Sequence, residues 1–176
     1  MVLTEPARDC DAILRFWFED CRPWQWFRRN PGFDQRIRDR FGALCLSAQS
    51  GGLIAWEQDA CSALALVLLL DQFSRHVWRG QAQAFAGDAR AVTLSREALR
   101  RGWIQSEPER PRRQFWLMPL LHSEEIATVE SVIPLLERWA DPGTAAIARR
   151  NLKVLLQEGR YPWRVQPFQT RRSTSS

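Results

Sequence analysis

Asp71, Gln72, Arg75, His76 and Arg79 stand together in "LALVLLLDQFSRHVWRG", the stretch from Leu64 to Gly80. On a helix, Asp71, Arg75 and Arg79 fall at i, i+4 and i+8 and share one face, and Gln72, His76 and Arg79 form the adjoining stripe. Guanidinium forks match carboxylate and phosphate geometry. A histidine beside a carboxylate is the minimum equipment for proton transfer near neutral pH. The plainer alternative is an Asp71–Arg75 ion pair on the solvated end of a helix. Against it, the cluster follows the most apolar segment of the chain, with no solvent-facing stripe before it.

A second polar cluster also follows an apolar run. In "FWLMPLLHSEE", His122, Ser123, Glu124 and Glu125 occupy a helix-to-helix corner. Ser123 as an N-cap followed by acids is ordinary helix-start chemistry, whereas His122 near Glu124 or Asp71 offers a general base. A third patch, "GRYPWR" from Gly159 to Arg164, sets Arg160 and Arg164 around Pro162, where guanidinium groups stack on Tyr161 or Trp163. Its structural alternative is a C-terminal strap over the core.

Other chemistries have thinner support. The chain has 2 histidines and no H-E-x-x-H, so no metal site is expected. Ser123 and the cysteines lack a nucleophile elbow or triad context. Without G-x-G-x-x-G or G-K-[ST], no nucleotide cofactor is expected either.

These clusters need helices to hold them. The 176 residues are 45% hydrophobic, with 9 Trp against 1 Tyr, and suit a single domain, 1–176, with an aromatic-rich core. Hydrophobic periodicity and end signals predict helices over about Glu5–Glu19, Phe33 to before Gly51-Gly52, Asp59 to about His76, and Ala82–Arg101. A fifth follows a Ser106/Glu109 capping box, a sixth runs from a Ser123 cap to Trp139 with Pro134 as a kink, and a seventh covers Thr144–Glu158. The aromatic loop Trp24–Phe27 is expected to lie on the core. The fold class is all-α, about seven antiparallel packed helices. Residues 166–176 read as a polar, frayed tail.

Charge and cysteines narrow the partners. The formal charge is +5, but Lys153 is the only lysine among 25 basic residues, and Arg36, Arg38 and Arg40 are interleaved with Asp34 and Asp39. Scattered charge of this kind is not a phosphate-tracking stripe, so no nucleic acid is expected. The longest apolar run, Ala63 to Leu70, is short of the roughly 20 residues that span a bilayer. Cys10, Cys21, Cys45 and Cys61 lack C-x-x-C spacing, and no N-terminal stretch resembles a signal peptide. They read as reduced, mostly buried thiols of a cytoplasmic protein.

The motifs "ILRFWFED", "FDQRIRDRF", "GLIAW", "LALVLLLDQFSRHVWRG", "AFAGDARA", "FWLMPLLHSEE" and "GRYPWR" with a later "RRST" resemble, in order, the mostly bacterial domain-of-unknown-function family 924. The resemblance implies a helical fold similar to tetratricopeptide-like proteins, with no settled general activity. Asp71, Gln72, Arg75, Arg79, Asp88, His122, Ser123, Glu124, Arg160 and Arg164 match its pattern. His76 stands where the family usually has Asn, Trp163 and Val165 depart from its "F-P-H-R-N", and its usual His-Arg corresponds to Asn151-Leu152. A shared pocket with altered chemistry is the resulting reading.

The clusters are therefore expected to meet in a polar, Arg-lined, Trp-walled pocket for a small anionic or aromatic molecule. His122 or His76 would be the base and Asp71 and Glu124 the orienting carboxylates. Arg75, Arg79, Arg160 and Arg164 would clamp the anion, and Gln72, Ser123, Trp78 and Trp163 would line the walls. This is a cofactor-independent enzyme on paper. The alternative is a non-catalytic scaffold binding a peptide or partner protein in a helical groove.

Overall fold

The computed structural model describes residues 5–164, so the polar tail lies outside the described residues. Among them the chain forms 8 α-helices and no strand. Helix α1 (Glu5–Arg15) winds on through a π-helical turn, Phe16–Asp20, closed by the Cys21 N–H donating to the Phe16 carbonyl at 3.0 Å. Helix α2 (Pro31–Gln49) begins where the Asn30 side chain accepts from the Phe33 N–H at 3.0 Å, slightly earlier than expected.

Helix α3 (Ala60–Val77) is the centre of the fold. Asp59 caps it, its carboxylate accepting from the Cys61 and Ser62 N–H groups at 3.0 and 3.1 Å. From Ala63 to Leu70 no residue is more than 1% exposed, because α1, α2, α4 and α6 surround it. That explains a helix apolar all round. Its 18 residues have a mean hydropathy of 1.2, enough by length and composition for a membrane span, but 83% of that window is buried within the protein. The segment Leu68–Phe73 is π-helical before α-geometry resumes at Ser74–Val77.

The expected helix Ala82–Arg101 is two elements: a 3-10 turn, Ala82–Phe85, and helix α4 (Asp88–Arg100). The break has a packing cause. A Cβ on Gly87 would lie 2.8 Å from Leu70 Cδ2 and 2.9 Å from the Leu70 carbonyl oxygen, so only glycine lets this backbone rest on α3. The contact fixes the start of α4 beside the π-helical turn.

A short helix not expected from sequence, α5 (Trp103–Ser106), also overturns the Ser106 cap. Ser106 Oγ donates back to the Gly102 carbonyl at 2.9 Å, while helix α6 (Arg110–His122) starts at Glu109 with no side-chain cap. Ser123 likewise does not begin the next helix. Its Oγ accepts from the Glu125 N–H at 3.1 Å, and helix α7 (Ile126–Trp139) follows Glu125. Asp141 caps helix α8 (Pro142–Glu158), and Gly159, at φ 70°, ends it in a left-handed turn.

Neighbouring α6, α7 and α8 lie against one another, and a buried apolar cluster runs from Cys10 of α1 to Ala148 of α8. Trp17, Phe33, Phe73, Phe115 and Trp116 fill its interior. The aromatic loop is only partly laid on it. Trp26 is buried with its indole N–H on the Trp17 carbonyl at 2.9 Å, but Trp24 and Phe27 are each 61% exposed. Cys10, Cys21 and Cys45 are buried and Cys61 is exposed, all unpaired. Burial pushes the Cys10 and Cys45 thiols up to about 12.

Candidate functional site

The C-terminal half of α3, the start of α4, the α6–α7 corner and the segment after α8 converge. Asp71 is the hub and is 0% exposed. His122 Nδ1 lies 2.8 and 3.0 Å from its two carboxylate oxygens, the Gln72 amide donates to it, and an Arg75 guanidinium nitrogen stands 3.3 Å away. Burial pushes this carboxyl up, but Arg75 and His122 together hold it well below the usual carboxylate range.

From Asp71 the charges alternate outward. Arg75 makes a two-pronged contact with Asp88, both bonds 3.0 Å. Arg164 reaches Asp88 at 2.7 Å and lies 3.8 Å from Glu124. Phe85 sits against the two guanidiniums, 5.3 Å from Arg75 and 5.0 Å from Arg164. Burial, aided by the Asp71 charge, raises the Asp88 carboxyl against the pull of Arg75 and Arg164.

The segment after α8 is stitched to the corner. The Tyr161 N–H donates to Glu124 at 2.7 Å, its hydroxyl donates to the Leu121 carbonyl at 3.2 Å, and Arg164 donates to the His122 carbonyl. Glu124 is therefore held by the strap rather than by His122.

The single face expected for Asp71, Arg75 and Arg79 divides in two. The π-helical turn alters the register, and helical geometry stops at Val77, so Arg79 lies in the turn before Gly80 and faces α2. There it grips Asp34 through two bonds of 2.6 and 2.8 Å. His76 Nδ1 shares the same carboxylate at 2.7 Å. His76 is 4% exposed, with Trp17 and Phe33 rings edge-on at 5.9 and 5.2 Å. Burial lowers its proton affinity despite Asp34, while Arg79 and His76 hold Asp34 itself below its ordinary value against the cost of burial.

Two cavities open onto this constellation. One, about 280 Å³, is bordered by Arg75, Arg79, Phe85, His122, Asn151, Tyr161, Trp163 and Arg164. The other, about 190 Å³, shares Arg75, Arg79 and His122 and adds Trp26, Phe27, Gln72, His76 and Met118. Ser123 borders neither; with Glu124 and Arg164 it lines a cleft of about 340 Å³ that also includes Asp88. A larger cleft, about 450 Å³ between Glu57 and Trp103, holds none of the predicted residues. Arg160 is exposed and Trp78 rests on the core, and neither borders these two cavities. No three His, Cys, Asp or Glu side chains converge as metal ligands among the described residues.

Sequence reasoning passes over Asp34 and Phe85 and treats Asp88 only as a motif residue. Asp34 carried no local signal, since its partners lie on another helix. The "AFAGDARA" motif did flag the stretch that holds Phe85, Gly87 and Asp88.

No curated protein matches the chain. A solved structure does: a protein of unknown function from Agrobacterium tumefaciens is 33% identical, with 90% of this chain and 88% of that one covered and a TM-score of 0.83. The model of a family described as "Bacterial protein of unknown function (DUF924)" matches residues 13–176. With nearly its whole length matched, this chain belongs to that bacterial family of unknown function.

Proposed function

We propose that the cavity between α3, the α6–α7 corner and the Tyr161–Arg164 strap binds a small molecule with an anionic group, and that His122 exchanges a proton with it. The observation that carries this reading is the Asp71–His122 pair. With Nδ1–H donated to a buried carboxylate, the imidazole is fixed in the tautomer whose Nε2 lone pair is available. Nε2 has no hydrogen-bond partner among the described residues, and His122 borders both cavities. A base placed in this way abstracts a proton from an acidic C–H, N–H or O–H. Asp71 then stabilises the imidazolium that forms, without taking the proton itself.

The guanidiniums favour an anion beside that proton. Arg75 is held by Asp71 and Asp88, Arg79 by Asp34, and Arg164 by Asp88 and the His122 carbonyl. An entering anion therefore shares guanidiniums that are already paired, and Arg164, whose second carboxylate, Glu124, stands off at 3.8 Å, is the clamp that turns toward it. The chemistry draws on no group beyond these side chains. A compact cluster of convergent polar groups also suits a small ligand better than the extended groove a peptide would need.

The test is a screen of small carboxylates and phosphate esters by thermal shift, with the histidine ¹⁵N signals followed by NMR. Ligands that stabilise the protein, move the His122 Nε2 signal and fail on Arg164→Ala and His122→Ala support the site. A peptide library that yields binders indifferent to both variants, with no small-molecule hit, supports the scaffold reading instead.

A further inference from the structure

Two exposed aromatic rings flank His122, and each is mounted in the same way. Trp163 is 55% exposed, yet it lies flat on buried Tyr161, with centroids 4.8 Å apart and planes 13° apart. Phe27 is 61% exposed and lies on buried Phe115 at 6.2 Å and 18°. Each ring has a near-parallel buried neighbour and leaves more than half of its own surface to solvent. Trp163 walls the first cavity and Phe27 the second. The other strongly exposed apolar side chains, Trp24, Leu46, Ile54 and Leu156, border neither. Single exposed apolar residues are ordinary on a protein surface. Two ring-backed platforms on the walls of adjoining cavities are a different matter, since a pre-stacked ring loses little freedom when a ligand settles on it.

Between the platforms lies the polar layer the two cavities share, Arg75, Arg79 and His122. We infer that the ligand is a two-armed acid: an aromatic or similarly flat apolar group on Trp163, another on Phe27, and between them an anionic centre bearing the proton that meets His122. This rests on the proposed function and specifies its substrate class. A one-armed acid fills one cavity and leaves the other wet.

The probes are phenylacetate, diphenylacetate and 2,3-diphenylpropanoate, titrated into the full chain by calorimetry. At least one of the two diaryl acids binds on the order of tenfold tighter than phenylacetate, the gain from burying a second ring. Trp163→Ala and Phe27→Ala each remove most of that gain, and Trp163→Phe and Phe27→Tyr, which keep a ring, restore it. Circular dichroism checks that each variant is folded, as expected for side chains more than half exposed. Phenylacetate binding with no gain from a second ring overturns the two-armed ligand and leaves the site standing. So does a gain that survives Phe27→Ala. No binding by any of the three acids, with an unmoved His122 signal, overturns the site as well.

Discussion

The protein holds two histidine–carboxylate pairs of almost the same length, His122–Asp71 at 2.8 Å and His76–Asp34 at 2.7 Å, each with an arginine on the carboxylate. Their surroundings separate them. The His122 side chain is 21% exposed and lines both cavities, whereas His76 is 5% exposed, set among Trp17 and Phe33, and reaches only the second of the two. Hydrogen-bond length alone therefore says nothing about role. What differs is what lies behind the ring, open cavity for one imidazole and packed aromatics for the other.

The largest effect should come from the shared hub of the first pair. Asp71→Ala leaves Arg75 buried beside Asp88 alone and frees His122 and Gln72, so urea unfolding should show a loss of about 3–5 kcal/mol, the range for breaking a buried ion pair. A loss under 1 kcal/mol would show that the hub does not hold the fold. Asp34→Ala should cost less, about 2 kcal/mol, as expected for charged hydrogen bonds with one partner, Arg79, at the surface. Equal losses would erase the distinction in burial.

The histidines themselves sharpen the contrast. His76→Ala opens a hole among aromatic rings and should destabilise by about 2 kcal/mol. His122→Ala should cost under about 1 kcal/mol and abolish binding of the small acids. The reverse order would exchange their roles.

The smallest effect is in pH. His76 has its proton affinity lowered by burial, so below the ordinary value of 6.5 the unfolded chain takes up a proton that the folded chain resists. Stability is then fully present above pH 6.5 and declines as pH falls through it toward the folded-state value. His76→Gln should flatten that slope. A second decline belongs to Asp71 and Asp34, whose folded values lie below the ordinary 3.8: their stabilisation is present above that pH and lost beneath it. Chemical denaturation at pH 7.5, 5.5 and 3.5 reads both.

Much of the site was legible because it obeys local rules. Asp71, Arg75 and His122 each end an apolar run, and apolar runs must meet in the core, so their tips meet too. Helix α3 was legible for the same reason, being apolar all round. The failures are of two kinds, partners supplied from a distant element and local bonds that compete with a capping formula. Asp34 sits in an ordinary charged stretch of α2, and only the tertiary approach of α3 makes it the partner of His76 and Arg79. The Ser106/Glu109 and Ser123 patterns satisfy a capping formula, yet α5 claims Ser106 and the corner claims Ser123. The end of the Ala82–Arg101 periodicity at Gly87 depends on one backbone contact with Leu70 that no spacing rule contains.

The π-helical segment Leu68–Phe73 makes the two ends of α3 independent in phase. An α-helix advances about 100° per residue, and a π-turn takes up about one extra residue, so winding the same residues into regular α-geometry would swing everything after them by roughly that angle, carrying Arg75, His76 and Arg79 away from Asp88 and Asp34. The apolar half before the segment keeps its own phase, while buried Ser74 and Val77 turn with the charged end. The irregular turn thus works as an index pin: it sets the azimuth of the charged end relative to the apolar half before it.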